Sequence, residues 1–146
     1  PYSMLDRRVE QQILEECLRC NIGVVVYSPM QRGMLTGKIT RERLANMDES
    51  DYRTRTQMFK EPELTYHLRF VDQMSRLAEE LGRTPAQLAI AWTLRRPEVT
   101  SAIVGSRRPG QAVETAKAAG WDPGEDVWKT IDTYLKEHND SIGRLI

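Results

Sequence analysis

The residues best suited to chemistry in this chain lie in two turns that contain glycine. The first turn holds Gly33, Gly37 and Lys38, and the second begins at Gly105 and continues into Arg107. Glycine lets a backbone approach a ligand closely, and Lys and Arg supply positive charge for phosphate groups. The first spacing is shorter than that of a P-loop and lacks a Ser or Thr after the Lys. Both turns are therefore candidate anion-binding segments, although neither pattern identifies a ligand alone.

The cysteines and histidines give weaker signals. Cys17 and Cys20 form a C-x-x-C pair, which marks redox or zinc sites in other contexts. Here the pair lies inside a helical pattern, and no second pair completes a zinc site, so two ordinary thiols are expected. His67 and His138 lie far apart in the sequence and near no acid and nucleophile pair. We expect them on the surface or in packing, and we predict no metal site.

Each candidate turn follows a short apolar segment. The β-branched run at residues 22–27 is typical of a parallel strand buried on both faces, and it ends at Pro29, which cannot donate to a sheet. Residues 100–104 form a second run of this kind. The long crossover between the runs predicts parallel strands with helices outside them. Two strands cannot close a sheet, so we expect further strands to be missing or to come from another chain.

Apolar residues at helical spacing predict the elements around these strands. Asp6 is the expected N-cap of the first helix, and Thr84, which precedes Pro85, is the expected N-cap of the third. Residues 41–63 are polar and predict an irregular excursion, the variable loop of the chain, with at most one short helix. The expected helices cover residues 6–20, 64–81, 84–96, 109–119 and the segment that begins at Pro123.

The composition excludes several classes of protein. Among 146 residues, 40% are apolar and 29% are charged, and 21 basic residues balance 21 acidic ones. A neutral chain does not predict binding to nucleic acid or to an acidic membrane surface, and no apolar run approaches the roughly 20 residues that span a bilayer. Since there is no signal peptide, a cytoplasmic protein is expected. The chain opens at Pro1 without an initiator methionine, which predicts a portion of a longer polypeptide.

Several segments in a fixed order resemble the aldo-keto reductase superfamily. They are residues 27–38 (YSPMQRGMLTGK), 84–92 (TPAQLAIAW), 101–109 (SAIVGSRRP) and 111–114 (QAVE), with the opening PYSMLD. The pattern is similar to the bacterial and potassium-channel β-subunit branch. The resemblance implies an α/β fold, a (β/α)8 TIM barrel that binds NADP(H) at the carboxyl ends of its strands. Residues 1–146 then correspond to its C-terminal part, from the end of strand six to the terminal helix, which is an incomplete barrel.

The resemblance implies that the first turn binds the nicotinamide and pyrophosphate of the cofactor. Tyr27 is expected to stack on the nicotinamide ring and to fix the face that offers hydride. In the polar loop, Arg53 or Arg55 corresponds to a basic residue that helps clamp the cofactor in related proteins, and a solvated loop is the alternative. The residues expected around the pyrophosphate are Ser28, Pro29, Met30, Gln31 and Gly33, with Lys38 adding a charge.

The resemblance implies that the second turn holds the adenosine end. Free N–H groups at the helix start after this turn favour an anion. Arg107 or Arg108 is expected to grip a 2′-phosphate, which favours NADP over NAD. Thr115 stands where the family often has Asn, so the adenine contact is expected to be weaker. The implied residues are Gly105, Ser106 and Arg107, with Gln111 and Glu114 near the adenine.

The chemistry of the family needs an Asp, a Tyr, a Lys and a His, of which the Tyr protonates the substrate carbonyl. None of the four maps onto this sequence, so no catalytic residue is expected in this chain. The first hypothesis is an NADP(H)-dependent oxidoreductase of aldehydes or ketones, with this chain as its cofactor-binding part, inactive alone. The alternative is a non-catalytic nucleotide-binding or assembly module that pairs with a missing N-terminal half barrel or with itself as a homo-oligomer. A truncated product without a function of its own is the third interpretation.

Overall fold

Two parallel strands and six α-helices form the regular structure of residues 1–143, the part of the chain that the computed structural model describes. The strands are β1 (Val24–Tyr27) and β2 (Val99–Ile103). The helices are α1 (Ile13–Arg19), α2 (Arg41–Ala45), α3 (Glu63–Glu80), α4 (Pro85–Leu94), α5 (Pro109–Ala116) and α6 (Glu125–Gly143). Short 3₁₀ helices cover Arg8–Gln11, Gln31–Thr36, Tyr52–Arg55 and Gln57–Phe59. Each helix in this part of the chain is too short or too polar to cross a membrane.

The two strands pair in parallel, which confirms the prediction from the long crossover. Val24 lies opposite Val99, and Tyr27 lies opposite Ile103. The carboxyl ends of both strands therefore meet at one edge of the sheet. Thr100 supports the start of the ladder, since its Oγ1 accepts a hydrogen bond from the Val24 N–H at 3.1 Å. Parallel pairing is thus what places the two glycine-containing turns side by side.

The expectation that the strands are buried on both faces is wrong for this chain. Val26 is 5% exposed, but its neighbours Val25 and Tyr27 are 58% and 52% exposed. Ile103 on the adjacent strand is 61% exposed. Alternate side chains of a strand point to opposite faces. In the described part of the chain, one face of the strand pair is therefore packed and the other is open.

The first predicted helix is wrong in its N-terminal half. Helix α1 begins at Ile13, after a 3₁₀ turn, and Asp6 is not its N-cap. The Asp6 carboxylate instead accepts two hydrogen bonds from Arg8, both at 2.8 Å, and its backbone pairs with Ser3. A local ion pair and a short bridge thus take the place of the cap. The predicted end of the helix is confirmed, because Asn21 adopts a left-handed φ of 53°.

The last predicted helix begins later than expected, at Glu125 rather than at Pro123. The Asp122 carboxylate accepts hydrogen bonds from the Gly124 N–H at 2.9 Å and from the Trp128 indole N–H at 3.0 Å. Gly124 has a φ of 96°. Because this left-handed residue follows Pro123, the proline cannot be the first residue of a right-handed helix.

Helix α4 is buried, and it starts where the sequence predicted. Thr84 and Gln87 form a capping box with Pro85 at the first helical position. The Thr84 hydroxyl accepts from the Gln87 N–H at 3.2 Å, and the Gln87 amide oxygen accepts from the Thr84 N–H at 3.1 Å. Trp92 is fully buried, and its ring centroid lies 5.3 Å from that of Tyr2. Helix α4 therefore ties the N-terminal segment to the core.

The polar excursion at residues 41–63 has more regular structure than predicted. It contains α2 and two 3₁₀ helices, where at most one short helix was expected. The Asp51 carboxylate caps one of them by accepting a hydrogen bond from the Arg53 N–H at 3.0 Å. Phe59 is 5% exposed and joins the core. One buried aromatic side chain thus anchors a segment that is otherwise polar.

The two histidines, which are 71 residues apart, meet between α3 and α6. His67 Nδ1 lies 2.9 Å from His138 Nε2, and both side chains are buried. Burial, reinforced by the charge of His138, lowers the pKa of His67 to about 4. Burial also lowers the pKa of His138. The pair is buried between these two helices, which agrees with packing, one of the two placements that we expected.

The cysteines and the acidic residues form no metal site in residues 1–143. Cys17 and Cys20 are free thiols at the end of α1. Within this range, no three side chains of His, Cys, Asp or Glu are grouped to hold an ion.

Candidate functional site

A cavity of about 1070 Å³ opens at the carboxyl ends of β1 and β2. Tyr27 and Ile103, the last residues of the two strands, both line it. Its size is slightly above the roughly 300–1,000 Å³ that is usual for ligand pockets. A smaller groove of about 220 Å³, beside α3 and α6, shares none of its lining residues. The larger cavity is therefore the one where the two turns meet.

The cavity brings together the predicted cofactor-binding residues, with one exception. Gln31 lies outside the lining, and its side-chain oxygen accepts a hydrogen bond from the buried Ser3 hydroxyl at 3.0 Å. The predicted residues in the lining are Tyr27, Ser28, Pro29, Met30, Gly33, Lys38, Gly105, Ser106, Arg107, Gln111 and Glu114. Two segments that are remote in the sequence thus share one cavity.

The backbone of the first turn is tightly wound. Ser28, Gln31, Arg32 and Gly33 have positive φ values of 61°, 45°, 57° and 94°. The Gly33 N–H donates to the Met30 carbonyl at 3.0 Å. Left-handed conformations are uncommon for residues other than glycine and persist where the surrounding structure holds them. The turn therefore has a fixed shape before any ligand binds.

Buried neighbours hold this turn in place. Met34 is fully buried, and Leu35 is 2% exposed. Gly37 has a φ of 72°, and a Cβ there would lie 3.2 Å from Ser75 Oγ and 3.3 Å from Pro85 Cγ. Helices α3 and α4 therefore press on the end of the turn, where a larger residue is strained in both conformation and space.

Tyr27 presents an accessible aromatic ring at the end of β1. Its side chain is 52% exposed, and its carbonyl accepts a hydrogen bond from the Tyr2 N–H at 3.0 Å. Its backbone is therefore held between the N-terminal segment and Ile103 of β2. A flat ring in a cavity wall can stack on another planar ring.

The second turn is open, and a side chain caps the helix that follows it. The Gln111 side-chain oxygen accepts hydrogen bonds from the Arg107 N–H at 2.9 Å and from the Arg108 N–H at 3.2 Å. This capping competes with the adenine contact that the resemblance implies for Gln111. Both arginines are exposed, and a Cβ at Gly105 would meet no atom within 4 Å.

Helix α5 is positioned by α4. The Gln87 side-chain N–H donates to the Glu114 carbonyl at 2.8 Å, and Gln87 is 4% exposed. The Thr115 hydroxyl donates to the Gln111 carbonyl at 2.8 Å, and both residues line the cavity. The residue that completes the capping box of α4 therefore also fixes the helix that carries the second turn.

Of the two arginines weighed in the polar loop, Arg53 lines the cavity and Arg55 does not. Arg53 Nε and Nη2 donate to the two carboxylate oxygens of Asp51 at 2.9 and 2.6 Å. Their side chains are 12% and 21% exposed. Arg55 donates instead to the Glu49 carbonyl at 3.3 Å. Of these two arginines, Arg53 is the one that is fixed in the cavity wall.

Arg32, Arg43 and Tyr52 are lining residues that the sequence reasoning missed. The Arg32 guanidinium lies 5.5 Å from the centroid of the Tyr52 ring. Arg43 Nη1 donates to the Lys38 carbonyl at 3.1 Å. For Arg43, the density of arginine at residues 41–55 was the available signal, but it did not show which of these side chains turn inward.

The cavity is strongly cationic, although the chain as a whole is neutral. Walls of one sign of charge attract ligands of the opposite sign. The lining, as drawn from residues 1–143, includes neither His nor Asp, and its one carboxylate is that of Glu114. The site therefore suits a ligand with several phosphate groups. The basic side chains in the lining are Arg32, Lys38, Arg43, Arg53, Arg107 and Arg108.

Comparisons with known proteins identify similar sequences and a similar structure. The sequence pattern of the aldo/keto reductase family matches residues 1–136. The aldo-keto reductase YhdN of Bacillus subtilis is 31% identical over 145 residues, which cover 98% of this chain and 43% of that protein. A Schizosaccharomyces pombe protein named after the beta subunit of voltage-gated potassium channels is 39% identical over 120 residues, 77% of this chain and 34% of that protein.

The solved structure of a glycerol dehydrogenase from Gluconobacter oxydans superposes on this chain with a TM-score of 0.85 at 30% identity. The superposition covers 94% of this chain and 41% of the dehydrogenase. The chain thus spans less than half the length of each of these proteins.

Proposed function

The chain belongs to the aldo/keto reductase family, and from that premise we propose that it is the cofactor-binding C-terminal part of a cytoplasmic, NADP(H)-dependent oxidoreductase of aldehydes or ketones. The family match confirms the resemblance, and the fold is that of part of a (β/α)8 barrel. The observation that carries the proposal is the cationic cavity in which both turns meet. Active sites of such barrels lie at the carboxyl ends of the strands.

The first turn suits the nicotinamide and pyrophosphate of the cofactor. The exposed ring of Tyr27 offers a stacking surface for the nicotinamide, which supplies hydride chemistry when it is bound. Positive φ values at Ser28 and at residues 31–33 wind this backbone so that phosphate groups can approach it closely, and Lys38 and Arg53 add positive charge. Because buried neighbours already hold this backbone, binding orders little of it, which favours affinity.

The second turn suits a 2′-phosphate. Arg107 and Arg108 are adjacent and exposed beside the cavity, and guanidinium groups bind a phosphate through paired donors. NADP carries this phosphate and NAD lacks it. Since Gln111 already occupies the two backbone N–H groups here, we expect the arginine side chains, rather than the helix start, to bind the phosphate.

Turnover in this proposal depends on residues outside the chain. The Asp, Tyr, Lys and His of the family have no counterparts that map onto this sequence, and the lining within residues 1–143 includes neither His nor Asp. The residues of this chain bind and orient the cofactor, and the complete protein supplies the proton donor for the carbonyl oxygen. The isolated chain therefore binds the cofactor without reducing a substrate.

A second candidate is a nucleotide-binding module without turnover that pairs with another half barrel or with a second copy of itself. The open face of the sheet favours it, since Val25, Tyr27 and Ile103 are each more than half exposed. Exposed apolar strands and unpaired strand edges favour association. Sedimentation of the chain alone tests self-pairing, which a dimer supports and a monomer contradicts.

Titration of the chain into NADPH, followed by the fluorescence of the reduced nicotinamide, tests the principal proposal. We expect a saturable change and weaker binding of NADH. Addition of an aldehyde to the complex should leave NADPH unoxidised. An unchanged fluorescence at high micromolar protein contradicts the cofactor site. Steady NADPH oxidation by the chain alone contradicts the assignment of catalysis to residues elsewhere.

A further inference from the structure

Residues 48–56, the cavity loop, fold back onto the first turn. The guanidinium of Arg32 lies 5.5 Å from the centroid of the Tyr52 ring, and Arg32 Nη1 donates to the Thr56 hydroxyl at 3.4 Å. Tyr52 and Arg53 both line the cavity. The cavity loop is therefore part of the cavity wall.

Asp51 holds Arg53 by three hydrogen bonds. Arg53 Nε donates to Oδ1 at 2.9 Å, Nη2 donates to Oδ2 at 2.6 Å, and the Arg53 backbone N–H donates to Oδ1 at 3.0 Å. The two side-chain bonds fix the plane of the guanidinium as well as its place, because the carboxylate and guanidinium forks match. These bonds also hold the pKa of Asp51 well below its ordinary range, so the carboxylate stays ionised.

The remaining edge of the Arg53 guanidinium faces the first turn. A Cβ at Gly33 would lie 3.9 Å from Arg53 Nη1, so this nitrogen lies close to the glycine backbone. Asp51 engages Nε and Nη2, which leaves both hydrogens of Nη1 for another acceptor. Gly33 belongs to the turn that is proposed to line the pyrophosphate. The ion pair therefore directs Nη1 at that position.

By its charge alone, Asp51 would oppose the binding of a phosphate group at this site. A carboxylate beside a cationic cavity lowers the positive potential and opposes the binding of phosphate. Arg107 of the second turn also contributes to the lowered pKa of Asp51, so the carboxylate is within electrostatic reach of both turns. The hydrogen bonds from Arg53 to Asp51 favour phosphate binding, because an arginine that is already ordered loses less rotamer freedom when it binds.

We propose that Asp51 is a positioning residue for the pyrophosphate of the cofactor, an inference that rests on the proposed function. Asp51 acts through Arg53. The ion pair fixes the guanidinium beside Gly33 before the nucleotide binds, and Nη1 then donates to a phosphate oxygen. Loss of the Asp51 charge therefore weakens nucleotide binding, whereas a purely electrostatic effect would strengthen it.

The substitutions Asp51→Asn and Asp48→Asn form a matched pair. Each removes one negative charge from the cavity loop, and each keeps a side-chain oxygen that can cap the local backbone, since Asp48 Oδ1 accepts from the Ser50 N–H at 2.8 Å. The NADPH dissociation constant is measured by nicotinamide fluorescence at fixed ionic strength. We expect about tenfold weaker binding for Asp51→Asn and less than about a twofold change for Asp48→Asn.

A double-mutant cycle with Arg53→Gln tests whether Asp51 acts through the arginine. Arg53→Gln should weaken NADPH binding by about tenfold, and Asp51→Asn should add no further loss in that background. Asp51→Glu keeps the charge but displaces the guanidinium, so it should also weaken binding. Inorganic pyrophosphate, used as a competitor, should rank the variants in the same order. Thermal unfolding of every variant checks that the fold is retained.

The outcomes separate this inference from the proposed function. Equal or tighter NADPH binding by a folded Asp51→Asn variant overturns the positioning role and leaves the cofactor site intact. Fully additive losses in the double variant also overturn it. If the unaltered chain binds neither NADPH nor pyrophosphate, the proposed function fails together with the inference.

Discussion

The turn after β1 and the turn after β2 lie side by side, but they are supported differently. Met34 and Leu35 bury the end of the first turn in the core, and a side chain at Gly37 would crowd Ser75 of α3 and Pro85 of α4. The second turn has open space at Gly105, and the side chain of Gln111 caps the helix after it. The first turn presents a fixed backbone, and the second presents exposed arginine side chains.

This difference matches the two ends of the proposed cofactor. The pyrophosphate is common to NAD and NADP, and a backbone held by the core suits a group that is always present. The 2′-phosphate distinguishes NADP from NAD, and exposed charged side chains suit its selection. Substitutions behind the first turn should therefore lower stability and the binding of either nucleotide, whereas substitutions in the second turn should change nucleotide preference.

A fall in pH should have the largest effect on the free energy of unfolding, and it should act through helix α3, which supports the first turn. Helix α3 carries both His67 and Ser75, which lies against Gly37. The pKa of His67 is lowered from 6.5 to about 4 in the folded chain. Between these values the unfolded chain binds more protons, so this contribution to stability is complete above pH 6.5 and is lost as the pH falls towards 4. The free energy of unfolding should fall by about 3 kcal/mol by pH 4.

Urea unfolding at several pH values measures this loss, with His67→Gln as the control that should make the profile less steep; burial also lowers the pKa of His138, which keeps its own share. Hydrogen exchange distinguishes the turns, because the Gly33 N–H should lose protection in acid before the Arg107 N–H does. An acid profile of His67→Gln as steep as that of the unaltered chain would exclude the histidine pair as the cause. Equal acceleration of exchange at both amides would show that the turns share one support.

Gly37→Ala should have the next largest effect. It places a Cβ 3.2 Å from Ser75 Oγ at a φ of 72°, and the strain of a left-handed alanine adds to the crowding. We expect a loss of about 2 kcal/mol in the free energy of unfolding, measured by urea denaturation. Gly105→Ala is the matched control in the second turn, where a Cβ meets no atom within 4 Å, and its effect should stay within about 0.5 kcal/mol. Similar losses in both variants would remove the distinction between the turns.

The smallest effect in free energy should come from the combined substitution of Arg107 and Arg108 by Ala. The preference for NADPH over NADH should fall by about tenfold, which is about 1.4 kcal/mol, while the affinity for NADH changes little. Fluorescence titration with both nucleotides measures the ratio. Arg55→Ala, which alters an arginine outside the lining, is the control and should leave the ratio unchanged. Parallel losses for NADPH and NADH would show that the arginines do not select the 2′-phosphate.

The regular elements were largely predictable because their signals are local. The capping box at Thr84 and Gln87 and the β-branched run before Tyr27 each lie within a few residues of sequence. The predicted helix starts at Asp6 and Pro123 were wrong because another local interaction or backbone conformation is adopted there. At Asp6 it was an ion pair with Arg8, and at Pro123 it was the left-handed Gly124 that follows.

The positions of individual side chains in the site were less predictable. Gln31 was expected at the pyrophosphate, but its amide bonds to Ser3, 28 residues earlier. Gln111 lines the cavity, but its side-chain oxygen caps its own helix, and its contact with the adenine stays a prediction. The sequence does not distinguish Arg53 from Arg55 as a cavity residue, because the fold of the loop decides that Arg53 is the one that turns inward. An amide or guanidinium group has several possible partners, and the sequence does not rank them.

The sequence by itself determined the kind of elements, the parallel direction of the strands and the two turns where an anion could bind, because these follow from periodicity, glycine placement and crossover length. The tertiary structure alone decided that basic side chains from remote segments of residues 1–143 share one cavity, that His67 meets His138 across 71 residues, and that the Asp51–Arg53 pair lies beside Gly33. Contacts of this kind depend on how helices and loops pack in space. The number of residues between two side chains in the sequence does not show whether packing brings them into contact.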